Sequence, residues 1–135
     1  MAILIDSSLW IDFTRTRSLR SLKSFIAPHI LAPSAVLAEP VMFEILRYAT
    51  AQESQQLRAQ FQLLPVLATP ADLWTRAAEL GQDCRNNGIT VGAIDLLIAY
   101  VAIHHAAELV TFDDDFQKIA SISTLQVKVL QRLTP

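Results

Sequence analysis

Apolar positions along the chain alternate between short unbroken runs and helical repeats. Ala2-Ile3-Leu4-Ile5 is a run that stops at Asp6, which predicts a buried parallel strand whose C-terminal end carries Asp6 to a crevice. Ser7 or Ser8 then caps a short helix with Trp10, Ile11 and Phe13. Leu19, Leu22, Phe25 and Ile26 recur at helical spacing in a second helix that Pro28 is expected to stop. A second short strand is predicted around Ala35 to Ala38. Pro40 suits the first turn of a helix whose face carries Val41, Ile45 and Tyr48, with Glu44 on the same helix.

Residues 51 to 62 continue or restart that helix, and Pro65-Val66-Leu67-Ala68 reads as a brief strand. Thr69 with Asp72 resembles a helix start, and Asn86-Asn87-Gly88 resembles its stop. Ala93 to Ala107 is apolar nearly all the way round, as in an interior helix, and its one acid is Asp95. A strand over Glu108 to Thr111, a turn at Asp113 to Asp115, a helix over Phe116 to Ala120 and a strand over Val127 to Leu130 complete the pattern. Strands alternating with helices predict an α/β fold with a short, mainly parallel central sheet flanked by helices. No repeat or linker divides the chain, so residues 1 to 135 are expected to form one domain.

Composition narrows the class. At 52% hydrophobic and 18% charged residues the chain can bury a continuous core, which excludes intrinsic disorder. Its apolar stretches are interrupted well short of the roughly 20 residues that span a bilayer, and the N-terminus has no basic leader, so a soluble, cytoplasmic protein with no membrane partner is expected. Cys84 is the one cysteine, which leaves neither an internal disulfide nor a thiolate metal cluster. Any metal must be held by carboxylates or histidines.

The net charge of −2 argues against holding nucleic acid by bulk electrostatics, but its distribution is uneven. Residues 13 to 38 carry Arg15, Arg17, Arg20 and Lys23 without an acid. Residues 86 to 117 carry Asp95, Glu108, Asp113, Asp114 and Asp115 without a lysine or arginine. In an open parallel sheet the ligand crevice lies beyond the carboxyl ends of the strands, where Asp6 and Asp113 are expected, and helices entered from that edge bring Glu44 and Asp95 within reach. Carboxylates sharing a poorly solvated pocket repel one another and gain protons unless a cation intervenes. An all-oxygen set favours Mg²⁺ or Mn²⁺, which would bridge the acids to a phosphodiester and activate the attacking water.

Each acid also has a purely structural reading. Asp6 can cap a helix, Glu44 can lie on a solvated face, Asp95 can cap the helix after Gly92, and Asp113 to Asp115 can form an acidic turn. His104 and His105 are adjacent on one helix, about 100° apart, which disfavours a two-histidine ribonuclease. Trp10 and Trp74 are read as core anchors.

Four stretches carry a resemblance. Leu4-Ile5-Asp6-Ser7-Ser8-Leu9-Trp10-Ile11-Asp12 resembles the opening of PIN-domain ribonucleases, especially the VapC-like toxins. Glu39 to Arg47, Gly88 to Ala99 and Leu109 to Phe116 are similar to their second, third and fourth acidic motifs, in the family's order and spacing. The resemblance implies that Asp6, Glu44, Asp95 and Asp113 are the catalytic, metal-binding acids, with Asp115 a supporting or substitute ligand and Glu39 ranked below Glu44. Ser8 and Thr111 match small hydroxyl positions that orient the acids. Tyr48 departs from the family, which often has a small residue there. The implied activity is hydrolysis of RNA by metal-activated water without a covalent protein intermediate, using Mg²⁺ or Mn²⁺. The implied partners are a small antitoxin and a second copy of the chain, with the helices of residues 7 to 26 as one candidate interface. Two other functions fit the same fold: a PIN nuclease of RNA maturation outside any toxin system, and an inactive PIN-fold binding protein.

Overall fold

In the computed structural model, which describes residues 1–132, four strands pair in the order β2-β1-β3-β4 and every pairing is parallel. They are β1 (Ile3–Ile5), β2 (Ala35–Val36), β3 (Glu108–Thr111) and β4 (Gln126–Val129). Residues 133 to 135 of the expected domain lie outside the described residues. The helices are α1 (Ser7–Thr14), α2 (Arg20–Ile30), α3 (Glu39–Arg47), α4 (Ala51–Phe61), α5 (Leu73–Asn86), α6 (Ala93–His104) and α7 (Asp115–Ala120).

The two central strands set the register, with Leu4 opposite Leu109 and Ile5 opposite Val110. Leu4, Ile5 and Leu109 are fully buried and Val110 nearly so, as expected of strands covered on both faces. From β1 the chain moves first to β2 on one side and later to β3 on the other. The crevice between the ends of β1 and β3 is therefore the topological switch point of the sheet. Asp6 follows β1 there, and its backbone N–H donates to the Val110 carbonyl at 2.9 Å.

Around the sheet, α1 packs on α2 and α3, α3 on α6, and α6 on α5. The α5–α6 contact is close enough that a Cβ on Gly81 would come within 2.9 Å of Leu96 Cδ1. At the far end of α5, Gly88 adopts φ +72°, its N–H donates to the Arg85 carbonyl and the Ile89 N–H reaches back to Cys84. Asn87-Gly88 thus stops α5 in a Schellman motif, turning the chain into α6.

Three local expectations are corrected. Pro28 does not stop α2, which runs to Ile30. Its missing N–H would have met the carbonyl of Ser24, and both residues lie on the exposed face, where water replaces the lost bond. Trp74 is not a core anchor: it is 73% exposed, whereas Trp10 is fully buried edge-on to Phe61. The core stripe of α5 runs through Leu73, Ala77, Leu80 and Cys84, and Trp74 stands one residue off it. The pair His104 and His105 also differs from expectation. His105 has left the helix as its C-cap, so the two rings lie edge to face with centroids 5.0 Å apart.

Candidate metal centre

Asp6 caps α1 and is almost fully buried. Its Oδ2 accepts from the Thr111 hydroxyl at 2.7 Å and the Ser8 hydroxyl at 2.8 Å. Those hydroxyls in turn accept from backbone: Asp113 N–H donates to Thr111 Oγ1 at 2.9 Å, and Phe112 N–H to Ser8 Oγ at 3.1 Å. Each hydroxyl spends its one proton on Asp6 and uses a lone pair to hold the chain leaving β3. Burial pushes the Asp6 carboxyl above its ordinary value, and the bonds from Thr111 and Ser8 oppose that shift.

Glu44 reaches the same place from α3. The Ser7 hydroxyl donates to Glu44 Oε1 at 2.5 Å and lies 3.4 Å from Asp6 Oδ1, so one buried serine stands between the first two acids. Asp95 projects from the first turn of α6, and Asp113 and Asp115 from the turn into α7. One carboxylate oxygen each from Asp95, Asp113 and Asp115 lies within 4.8 Å of the others. The turn is braced by the Asp115 N–H donating to Asp113 Oδ1 at 2.9 Å.

The electrostatics tie all five acids together. Asp95 is pushed up to about 7, first by burial and then by the charges of Asp113, Asp6, Glu44 and Asp115. Carboxylates gathered in this way repel one another when ionised, and their hard oxygen donors are of the kind that could hold a divalent cation. Asp6, Ser7, Ser8, Glu44, Asp95 and Asp113 line one open cleft of about 390 Å³, joined on the α1 side by Ile11, Asp12, Arg15, Tyr48 and Arg132.

Other sequence candidates lie elsewhere. Glu39 is exposed and accepts from the Thr69 hydroxyl beside a different groove, lined by Pro40, Phe43 and Trp74. Asp114 is exposed and outside the three-aspartate group. Of the four early cations only Arg15 lines the cleft. The histidines occupy the far end of α6, with His105 Nε2 2.7 Å from the Ala68 carbonyl oxygen and His104 nine residues, or about 14 Å, from Asp95 along the helix. Cys84 is buried in the core, and burial followed by the Asp83 charge pushes its thiol up, which keeps it protonated and unreactive.

Sequence reasoning missed Ser7, Asp12 and Arg132. Asp12 was recoverable, since it falls four residues after Ser8 on the face of α1 that meets the cleft. Arg132 follows β4 and has no local signal.

The protein-family model described as PIN domain matches residues 3–122. Ribonuclease VapC11 of Mycobacterium tuberculosis is 35% identical over 130 residues, spanning 92% of this chain and 96% of that protein. Among solved structures, VapBC2 from Rickettsia felis bound to a DNA fragment from its promoter has a TM-score of 0.75 at 18% identity, covering 97% of this chain and 100% of that one. The sarcin-ricin loop cleaving toxin VapC20 of Mycobacterium tuberculosis has a TM-score of 0.70, also at 18% identity, covering 92% and 98%. At such identities the structural likeness speaks for the fold alone. No described helix is long and apolar enough to cross a membrane.

Proposed function

This chain belongs to the PIN-domain family, among its VapC ribonucleases, and from that premise we propose that it is a single-domain, metal-dependent endoribonuclease acting as the toxin of a toxin–antitoxin pair. The observation that carries the reading is the convergence of Asp95, Asp113 and Asp115 beside Asp6 and Glu44, with Asp95 raised to about 7 by burial and then by the neighbouring charges. Asp6, Glu44, Asp95 and Asp113 are the residues that would hold Mg²⁺ or Mn²⁺, with Asp115 in support. Such a cation would supply charge to an RNA phosphate and acidity to a bound water.

The chain's own groups do the positioning. Thr111 and Ser8 fix one Asp6 oxygen, and Ser7 fixes Glu44. The α1 side of the cleft offers Arg15 as a counterion for a phosphate approaching the acids. No thiol, serine–histidine pair or histidine pair stands among the described residues lining the cleft, which supports direct attack by water over a covalent protein intermediate.

The intact acids favour an active nuclease over an inactive binding protein. The 35% identity to a VapC ribonuclease, over nearly the whole of both chains, favours a toxin over an RNA-maturation enzyme. A small antitoxin would block the cleft, a second copy of the chain would complete a homodimer, and the RNA substrate would be met in the cytoplasm.

The test is cleavage of labelled transfer and ribosomal RNA in Mg²⁺ or Mn²⁺, with an EDTA control and the variants Asp6→Asn and Asp95→Asn. We expect metal-dependent cutting by the parent and its loss in both variants. Cutting that survives EDTA or either substitution would overturn the assignment of the acids, and a folded, partner-free parent that cuts no RNA would overturn the nuclease reading.

A further inference from the structure

Among the described residues, Arg132 is the cation of the cleft that is held in place by side chains from two distant segments. Its Nε donates to Asp12 Oδ2 of α1 at 2.7 Å, and its guanidinium lies over the Phe112 ring, 4.9 Å from the centroid, beyond the end of β3. The Asp12 side chain is only 13% exposed and that of Arg132 49% exposed, so the carboxylate is fixed and the guanidinium faces solvent. Because the ion pair uses Nε, the two terminal amino groups have no protein partner among the described residues. That leaves four N–H donors in a planar fork at the rim of a cleft lined by carboxylates.

Pairing with Asp12 satisfies that largely buried carboxylate through Nε alone, so it gives the terminal amino groups no structural task among the described residues. Orientation is what the arrangement achieves. With Nε tied and one face against Phe112, the fork is presented edge-on with little rotamer entropy left to lose, the geometry in which arginine binds a phosphate in bidentate fashion. The polyanionic substrate must also approach a cluster of acids, and a cation held just outside them reduces that repulsion where the backbone enters.

We propose that Arg132 is a substrate-binding residue that clamps an RNA backbone phosphate neighbouring the scissile one, with Asp12 and Phe112 as its positioning groups. The proposal rests on the nuclease reading for its substrate, but it makes a separate claim about binding.

The test uses the full chain carrying Asp95→Asn as a cleavage-blocked parent, and a fluorescein-labelled single-stranded oligoribonucleotide followed by anisotropy across a KCl series. Adding Arg132→Ala is expected to weaken binding on the order of tenfold at low salt and to flatten the slope of log affinity against log salt by about 0.7, the loss of one phosphate contact on a single strand. Arg132→Lys, which keeps the charge without the fork, should retain the slope and recover only part of the affinity. Arg85→Ala, an exposed arginine at the end of α5, should change neither. In the cleaving chain, Arg132→Ala should raise KM and leave kcat within about twofold, the pattern of a contact made equally in the ground and transition states.

An Arg132→Ala slope and affinity equal to the parent's would overturn the proposal, as would a parent that binds no RNA at all. Failure of the nuclease reading looks different: the chain with native Asp95 would cut nothing, while the Arg132 dependence of binding could still be measured.

Discussion

Thr111 and Asp6 are 105 residues apart and joined by a 2.7 Å hydrogen bond in which the buried hydroxyl donates to the carboxylate. The same oxygen accepts from the Asp113 N–H, so one side chain links the acid after β1 to the acid after β3 across the switch point of the sheet.

Removing that hydroxyl while keeping its shape should therefore damage two acids at once. Thr111→Val leaves the Asp113 N–H without its acceptor and takes from Asp6 a bond that favours its ionised form. The expected cost is about 1–3 kcal/mol of stability together with a metal affinity lower by roughly 10- to 100-fold, the usual effect of losing a partner that orients a ligand. Thr111→Ser should recover most of both. Denaturant melts and calorimetric titration with Mn²⁺ measure the two quantities; an unchanged affinity in Thr111→Val would remove Thr111 from any role in the centre.

The raised carboxyl of Asp95 makes metal-free stability depend on pH. In the unfolded chain the group ionises near its ordinary value of 3.8, and in the native protein near 7. Between those values the native state binds more protons than the unfolded state, so stability falls as pH rises through the window and the full penalty is present above about 7. Asp6 is shifted in the same direction. In EDTA, Asp95→Asn should hence be more stable than the parent at pH 8 and nearly equal to it at pH 4, as read from denaturation midpoints. Added Mn²⁺ should stabilise the parent more at pH 8 than at pH 5, because protons compete with the cation for the same oxygens. A pH-independent difference between the two proteins would contradict the electrostatic account.

The places of the acids were legible because each sits where the hydrophobic pattern defines the end or face of an element, whereas their reading as one set came from the family resemblance. Asp6 and Asp113 follow apolar strand runs, Asp95 interrupts an apolar helix and Glu44 lies on the helix entered after β2. The strand and helix order was legible for the same reason, except at Pro65 to Ala68, where the expected strand is reduced to a single parallel bridge between Val66 and Leu37. What the pattern did not hold was the hydrogen-bonding role of Ser7, whose hydroxyl reads from sequence as a helix cap and instead goes to Glu44. Arg132 was equally invisible, since its approach to the cleft depends on β4 pairing with β3 and delivering the following residues toward α1. Such contacts arise between elements distant in sequence, where spacing along the chain carries no information.

Trp10 and Trp74 show the same limit in the core and give a sharp contrast in stability. Trp10 is fully buried against Phe61, so Trp10→Ala should cost about 3–5 kcal/mol through the cavity it leaves. Trp74 is 73% exposed, and Trp74→Ser should change the stability of the isolated chain by no more than about 0.5 kcal/mol. Urea titrations of the two variants compare them directly. A large loss for Trp74→Ser in dilute protein would contradict its exposed placement on α5.

Gly81 tests whether the centre depends on how closely α5 approaches α6. A Cβ there would stand 2.9 Å from Leu96 Cδ1, the far end of a side chain that can turn aside, and Asp95 is the residue beside Leu96. For Gly81→Ala the gain in helix propensity, about 1 kcal/mol, opposes the cost of moving Leu96, so stability should change little. Gly81→Leu cannot be accommodated by one rotamer; it must push α6 outward at a cost of about 1–3 kcal/mol. Because α6 carries Asp95, the shift should also weaken Mn²⁺ binding in Gly81→Leu and spare it in Gly81→Ala. If both variants bound Mn²⁺ as the parent does while Gly81→Leu was destabilised, the position of Asp95 would be set by the turn after Gly92 and not by the packing of α5 on α6.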